Sequence, residues 1–215
     1  MAKKGRAIYL VYTDLADDKN DEEFNRWYDT RHLPQLRAIP GILDAARYVA
    51  VKGGPKYLAV YELERAEVIR SDAFVSRPRT PWDEQMSPRT VGKNLASVLG
   101  EQIFPDGLKN TDRGMAEVLQ IGRMSVPEGV DVAWNAWYNG EYIPGYRTVP
   151  GVIYARRYRV VEGEVRYTTV YEFESEAVPD SDAWNYQREH SSPRSGEMRD
   201  VMTMATGSPG VYKRV

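Results

Sequence analysis

His32 and two residues one helical turn before it have the types and spacing for acid–base chemistry. The stretch from Phe24 to Pro34 predicts a helix with His32 at its carboxyl end, where unpaired carbonyls and the helix dipole favour a protonated ring. Asp29 lies three residues before His32, and Tyr28 lies four residues before it, so each is one helical turn away from His32. We predict that His32 is a general acid/base, that Asp29 orients it, and that Tyr28 binds a substrate oxygen. A helix-capping role is the alternative for His32.

The sequence around His32 occurs twice in the chain. Residues 24–64 align without a gap with residues 134–174, and 17 of the 41 positions are identical. Tyr142 takes the place of His32 in the second copy, and the acidic residue three positions earlier becomes an amide. The aromatic, proline and glycine positions persist. We therefore predict a tandem duplication with one working site per chain, in the first half.

Four further residues are candidates for substrate binding. Tyr57 and Tyr61 fall on one face of a predicted strand, where phenols could line a cavity. Arg47 and Trp27 recur in the second copy, as the two tyrosines also do. Recurrence in a copy that lacks the histidine favours packing and hydrogen-bonding roles. The candidate substrate-binding residues are Tyr57, Tyr61, Arg47 and Trp27.

The composition excludes several classes of protein. The chain has 29 basic and 31 acidic side chains and a net charge of −2, which gives no long-range attraction to nucleic acid or to an anionic membrane. It contains no cysteine, so disulfides, thiolate metal sites and a cysteine nucleophile are excluded. The spacing of histidines and acids predicts no metal site, and no run of 18 apolar residues predicts a membrane helix. We expect a cytoplasmic protein whose partner is a small molecule; a homodimer is left open.

The elements that position these residues follow the same order in both halves. Alternating strand patterns, a Gly-Gly-Pro turn between two of them and helical patterns predict β-α-β-β-α-β, the ferredoxin-like order. In the first half the predicted elements are a strand at 6–14, a helix at 21–32, strands at 42–52 and 56–64, a helix at 66–75 and a strand at 99–104.

The second half repeats this order after a polar, turn-rich stretch. We predict an α+β fold with a first unit at residues 1–107, a linker at 108–114 and a second unit at 115–215. Pro34 predicts that the first helix stops or kinks after His32. Residues 77–89 contain several prolines and Trp82 and are predicted to be a loop, either a cavity lid or an ordinary surface insertion.

One set of positions carries a resemblance to known proteins: Phe24, Trp27, Tyr28, His32, Pro34, Pro40, Gly41, Arg47 and Tyr48. The pattern resembles the dimeric α/β-barrel superfamily, and most closely its EthD-type proteins. The resemblance implies two ferredoxin-like sheets packed into a barrel, here within one chain. It also implies a small-molecule cavity between sheet and helices, often used without a cofactor. Relatives include cyclases, isomerases, monooxygenases and haem enzymes, so the resemblance implies no single reaction.

From these observations we predict a cofactor-independent enzyme that acts by proton transfer. It would be a lyase, isomerase, cyclase or dehydratase acting on an aromatic or polyketide-like carbonyl compound, with no cofactor and no metal. Two alternatives are open. One is a haem-binding oxidative enzyme with His190 as the axial ligand, although the place of His190 at a predicted helix end favours a capping role. The other is a small-molecule binding protein without catalytic activity.

Overall fold

An antiparallel β-barrel forms the centre of the molecule. The computed structural model describes residues 3–108 and 112–215, and within them nine strands form one sheet, of which eight close into a barrel. This confirms the predicted α+β fold and barrel. The strands are β1 (Ala7–Leu15), β2 (Ile42–Lys52), β3 (Tyr57–Leu63), β4 (Gly92–Phe104), β5 (Val118–Ser125), β6 (Val152–Glu162), β7 (Tyr167–Phe173), β8 (Thr203–Met204) and β9 (Gly210–Arg214).

The helices pack on the outer face of the barrel. Within the described residues, no helix is long and apolar enough to cross a lipid bilayer. The α-helices are α1 (Asp21–Trp27), α2 (Leu33–Arg37), α3 (Asp72–Val75), α4 (Pro81–Met86), α5 (Pro88–Val91), α6 (Asp131–Trp137), α7 (Ile143–Tyr146), α8 (Asp182–Glu189) and α9 (Pro193–Asp200). Short 3-10 turns span Asp18–Asn20, Ala66–Arg70, Glu128–Val130 and Val178–Asp180, and π-helical turns span Tyr28–His32 and Tyr138–Tyr142.

The last strand of each half joins the two halves. The order around the barrel is β1-β3-β2-β9-β5-β7-β6-β4, and β4 closes it by pairing with β1. Strand β4 also pairs with β6, where Gly100 faces Val160. Strand β9 pairs with β5 and with β2, where Tyr212 faces Ala50. Residues 109–111 of the predicted linker at 108–114 lie outside the described residues.

The barrel interior is mostly apolar and contains a buried ionic cluster. Leu58 and Val60 of β3 point into it, while Tyr57, Ala59 and Tyr61 point outward beneath the helices. The ionic cluster consists of Lys4, Glu62, Arg156 and Glu172. Arg156 donates to Glu62 through its two terminal nitrogens, Nη1 and Nη2. The Lys4 Nζ lies 3.1 Å from the Glu172 carboxylate. These four side chains are almost completely buried.

The first helix continues past His32, where we predicted that it stops or kinks. A π-helical turn over Tyr28–His32 widens the helix, and the Leu33 amide donates to the Tyr28 carbonyl five residues back. Pro34 then lies in the first turn of α2, where a missing N–H removes no hydrogen bond that the helix needs. The wide turn therefore admits the proline without ending the helix. The second half repeats it, with the Ile143 amide donating to Tyr138.

Two stretches of the first half differ from their predicted structure. Residues 77–89, predicted to be a loop, contain α4 and the start of α5. The long strand β4 begins at Gly92, well before the predicted strand at 99–104, because β1 pairs with this added length. In the second half, α9 and β9 were not predicted. For the two strands, pairing with segments distant in sequence decides the structure.

Candidate functional site

A cavity of about 380 Å³ lies between the first-half sheet and the helices that cover it. Its inner walls are aromatic: Trp27 and Tyr28 come from the helix, and Tyr9 and Tyr61 come from β1 and β3. His32 lies in the wall at the π-helical turn. The volume is within the range of pockets that bind small molecules, ~300–1,000 Å³. The cavity is therefore the candidate site, and it lies in the half that we predicted would carry it.

His32 is held as a neutral imidazole. Its ring stacks on Trp27 with centroids 4.4 Å apart, and it meets Tyr28 edge-on at 4.9 Å. Burial, together with the positive charge of Arg77, lowers the pKa of His32 to about 3. At neutral pH the ring can accept a hydrogen bond through one nitrogen and donate through the other. It carries no extra proton to give to a substrate.

Asp29 does not orient His32, in contrast to our prediction. Its carboxylate accepts from Arg47 at 3.2 Å, and Arg47 also donates to Asn25 at 2.6 Å. The Arg47 guanidinium lies 4.6 Å from the centre of the Tyr28 ring, a cation–π contact. In this arrangement Asp29 supports a buried arginine under the helix. Neither Asp29 nor Arg47 is among the residues that line the cavity.

The second half contains the same arginine arrangement. Arg157 donates to Asn139 at 2.5 Å and to Asn135 at 2.9 Å, and its guanidinium lies 4.1 Å from the Tyr138 ring centre. The change from Asp29 to Asn139 therefore keeps an oxygen acceptor for the arginine. Asp29 and His32 both change between the halves, but they do not act as a pair. Asp29 contacts Arg47, whereas His32 stacks on Trp27.

Two phenols form the floor of the cavity. Tyr28 and Tyr61 hydrogen-bond to each other, and burial raises the pKa of Tyr28 to about 12 and that of Tyr61 well above its ordinary value. Both therefore stay protonated at neutral pH, and since one donates to the other, one O–H of the pair remains free to donate. Tyr9 stacks on Tyr61 at 5.9 Å. Tyr57, also predicted to bind substrate, donates instead to Asp21 and does not line the cavity.

Residues 77–91, the covering segment, close the cavity from outside. Asp83 fastens this segment to the first helix, because its carboxylate accepts from Trp27 at 3.0 Å and from Arg31 at 2.9 Å. Thr80 caps helix α4 and also donates to Asp83. Sequence reasoning missed the four charged cavity residues of this segment. They are Arg77, Arg79, Asp83 and Arg89. The sequence did offer one signal. Arg77, Arg79 and Arg89 lie in one short segment, and each is next to a proline.

We predict that Asp83→Asn will destabilise the protein at neutral pH. Burial alone would raise the pKa of Asp83, but hydrogen bonds from Arg31, Trp27 and Thr80 hold the pKa well below its ordinary value. The stabilisation from the ionised carboxylate is complete above the unfolded-state pKa of about 3.9 and is lost as the pH falls below it. The variant should lose about 1–3 kcal/mol at neutral pH. Urea denaturation at a series of pH values measures this loss.

The difference between wild type and Asp83→Asn should shrink as the pH falls below about 4, because the unfolded wild-type chain then takes up a proton at this carboxyl before the folded chain does. Glu84→Gln, an exposed change on the same helix, is the matched control and should behave as wild type. A difference between Asp83→Asn and wild type that is independent of pH would contradict an ionised Asp83 as the source of the stabilisation.

Aromatic side chains fill the equivalent space in the second half. Tyr142 lies 4.7 Å from Tyr146 and Tyr146 lies 4.3 Å from Trp184, measured between ring centres. At the repeat offset these three residues replace His32, Leu36 and Phe74, so each replacement is larger than the side chain it replaces. The geometry thus supports a single open site, in the first half.

The helix that covers the second half uses a different anchor. Trp137 donates to the Ser195 hydroxyl at 2.8 Å, and Glu141 accepts from that hydroxyl at 2.7 Å. Ser195 therefore stands where Asp83 stands in the first half. This contact matches helix α9 with α4.

Comparison with known proteins gives the fold. No family model and no curated protein sequence matches the chain. A chlorite dismutase variant from Candidatus Nitrospira defluvii aligns with a TM-score of 0.63 and 11% identity, over 97% of this chain and 91% of that one. An anthrone oxidase-like protein aligns at 0.60 and 12%, over 100% and 94%. A candidate monooxygenase from Fusobacterium nucleatum aligns at 0.58 and 10%, over 98% and 93%.

The chain has the dimeric α/β-barrel fold. This is the fold that the resemblance noted in the sequence implied. At these identities the alignments establish the fold alone.

The predicted reaction class was wrong. The similar structures are named for oxidative chemistry, as dismutase, oxidase and monooxygenase, and this contradicts a cofactor-free lyase or isomerase. The structure adds one limit on the predicted role of His32. With a pKa of about 3 the ring is neutral at neutral pH, so it can accept a proton but is not a cationic acid. The predicted Asp29–His32 pair that would have raised its basicity is not formed.

His190 does not fit the role of a haem ligand at this cavity. Its ring stacks on Tyr186 at 3.8 Å, and its Nδ1 lies 3.1 Å from the Tyr186 carbonyl oxygen. It is exposed at the end of α8, in the second half, and does not line the cavity. This position matches the capping role that the sequence favoured. Within residues 3–108 and 112–215, no group of three histidines and acids could hold a metal ion.

Proposed function

We propose that this protein is an oxidative enzyme that uses dioxygen to oxidise a small aromatic compound in the first-half cavity. The cavity itself carries the proposal: it is lined by aromatic rings, contains two protonated phenols and a neutral imidazole, and lies beside buried positive charge. The oxidative names of the structures with the same fold support it. An electron-rich hydroxyaromatic compound, such as an anthrone, is the substrate class that we infer.

The proposed conversion balances without a further reductant. One methylene carbon of the substrate and one dioxygen give one carbonyl and one water, so the carbon loses four electrons and dioxygen gains four. Both hydrogens of the methylene group leave in the water. The step begins from the anionic form of the substrate, because a phenolate or enolate gives up electrons more readily than the neutral compound.

The cavity residues favour that anion. Because one phenol of the Tyr28–Tyr61 pair donates to the other, one O–H remains to donate a hydrogen bond to the substrate oxygen where negative charge develops. Arg47, 4.6 Å from the Tyr28 ring, adds a buried positive charge behind the phenols, which stabilises an anion in a poorly solvated site. His32 accepts from a substrate hydroxyl and so fixes the ring orientation. Trp27 packs on the other face of His32 and keeps it in place.

Dioxygen uptake tests the proposal. Anthrone and related hydroxyaromatic compounds are incubated with the purified protein, and dioxygen loss and carbonyl product are followed together. We expect one dioxygen consumed per product, at a rate above the uncatalysed oxidation. Tyr61→Phe should lower kcat/KM by roughly 10²–10³-fold, the loss typical when one donor to a developing oxyanion is removed. Tyr171→Phe, the matching change in the second half, should leave kcat/KM unchanged.

Failure to accelerate oxidation across the whole panel would contradict the proposal. An absorption spectrum of the same preparation, recorded before and after adding hemin, separates haem-dependent chemistry from the reaction proposed here. A Soret band that appears together with the activity, and that His190→Ala removes, would favour the haem alternative. Ligand binding without dioxygen uptake would favour a binding protein without catalytic activity.

We also infer that the chain arose by duplication of one ferredoxin-like unit and that it is related to EthD-type proteins. The identity of 17 of 41 aligned positions supports the duplication, as does the shared arrangement of Arg47 and Arg157 under the helices. The pattern ending in His32 and Pro34 supports the relationship to EthD-type proteins. The proposal includes two units, at residues 1–107 and 115–215. It also includes a cytoplasmic location, and it leaves a homodimer open.

A further inference from the structure

Three arginines surround the outer end of the cavity. Arg77, Arg79 and Arg89 belong to the covering segment and line the cavity. Arg77 is half-buried, whereas the other two are exposed. None of the three makes an ion pair with any residue in the described ranges 3–108 and 112–215. This concentration of positive charge contrasts with the net charge of −2 for the whole chain.

The one acid that lines the cavity does not neutralise these arginines. Asp83 accepts hydrogen bonds from Arg31 at 2.9 and 2.8 Å, which occupy both of its oxygens. Burial and the nearby charge of Arg79 lower the pKa of Arg77. The cavity therefore holds more positive charge than its own residues compensate, and a bound anion would relieve it.

Arg77 is held in a position that suits binding. Its Nη1 donates to the Phe74 carbonyl at 2.5 Å, and its guanidinium lies 4.5 Å from the Phe74 ring centre. These contacts fix one edge of the guanidinium and leave its remaining N–H groups without a hydrogen-bond partner in the described residues. A planar guanidinium with free N–H groups matches the oxygens of a carboxylate or a phosphate.

We propose that the aromatic ligand of this cavity carries an anionic oxygen substituent, a carboxylate or a phosphate, which Arg77 binds at the outer end with Arg79 and Arg89 beside it. The ring lies inward, between Tyr28, Tyr61 and Trp27. This inference rests on the proposed function only for the idea that the bound compound is oxidised. The binding itself follows from the arrangement of charge and aromatic rings.

Isothermal titration calorimetry with three naphthalene compounds tests the inference. 2-Naphthoate, 2-naphthyl phosphate and the neutral 2-naphthylmethanol share a ring system and differ in the substituent. We expect at least one of the two anions to bind roughly 10- to 100-fold more tightly than the alcohol, the range for hydrogen bonds to a charged group. The tighter of the two anions identifies the substituent. Arg77→Gln should remove this preference and leave the affinity for the alcohol within about twofold.

Arg194→Gln is the matched control, because Arg194 is an exposed arginine on the covering helix of the second half. It should keep the preference for the anion. Equal affinity for all three compounds in the wild type would overturn the inference, as would a preference that survives in Arg77→Gln. Dioxygen uptake is measured separately. Tight anion binding without oxidation would overturn the proposed function and leave this inference standing; oxidation of neutral substrates without anion preference would do the reverse.

Discussion

Replacing His32 with tyrosine should close the cavity and lower kcat/KM for aromatic oxidation by roughly 100-fold or more, because the ligand can no longer reach its position among the phenols. The second half shows the outcome of this replacement, since Tyr142 occupies the equivalent place and fills the space beside Tyr146. The added ring enters an existing cavity, so the free energy of unfolding should change by less than about 1 kcal/mol. Steady-state kinetics and urea denaturation measure the two effects.

The reverse change supplies the control for His32→Tyr. Tyr142→His removes a ring from the packed aromatic cluster of the second half, which should lower the melting temperature while leaving kcat/KM unchanged. Together the two variants separate activity from stability, because one should affect only the first and the other only the second. Normal turnover in His32→Tyr would show that the substrate does not bind in this cavity.

Glu62→Ala should produce the largest loss of stability. Glu62 and Arg156 are both almost fully buried inside the barrel, and removing the carboxylate leaves a buried guanidinium without its principal partner. Losing one member of a buried ion pair costs about 3–5 kcal/mol. For a chain of this size that corresponds to a fall in melting temperature of roughly 6–20 °C. Thermal and urea denaturation give the two quantities independently.

Glu23→Gln is the control for Glu62→Ala, because Glu23 pairs with Arg26 on the surface and exposed pairs contribute little. We expect no measurable change in melting temperature there. Glu172 lies 3.8 Å from Arg156 and is the one acid placed to take over the guanidinium. If Glu62→Ala costs less than about 1 kcal/mol, the cluster rearranges around Glu172 and the prediction fails.

The fold could be predicted because its signals are local and repeated. Alternation along β3 placed Tyr57, Ala59 and Tyr61 on one face, and the structure puts these residues beneath the helices. The strands at 42–52 and 56–64, joined by Gly53 and Gly54, were found within one residue of their ends. Strand β9 has only five residues. Most of the chain separates it in sequence from its partner β2, so no local pattern predicted this strand.

The candidate site was predicted in position but not in chemistry. Trp27, Tyr28, His32 and Tyr61 all line the cavity. Helical spacing predicted that Asp29 lies near His32. Spacing alone does not predict which side chain the Asp29 carboxylate binds. Arg47 arrives from β2, 18 residues later, and its full positive charge competes successfully with a neutral ring for the carboxylate. The pKa of His32 likewise depends on burial by residues far along the chain.

The final strand of each half pairs with a strand of the other half. This arrangement has a consequence for synthesis on the ribosome. Strand β2 gains its second neighbour only when residues 210–214 have been made, and until then the first half presents an unpaired strand edge. Such edges are sites of intermolecular pairing, and sheets closed by distant segments fold slowly. The nascent chain therefore carries an unpaired strand edge throughout the translation of its second half, and chaperones that cover such edges would protect it during that interval.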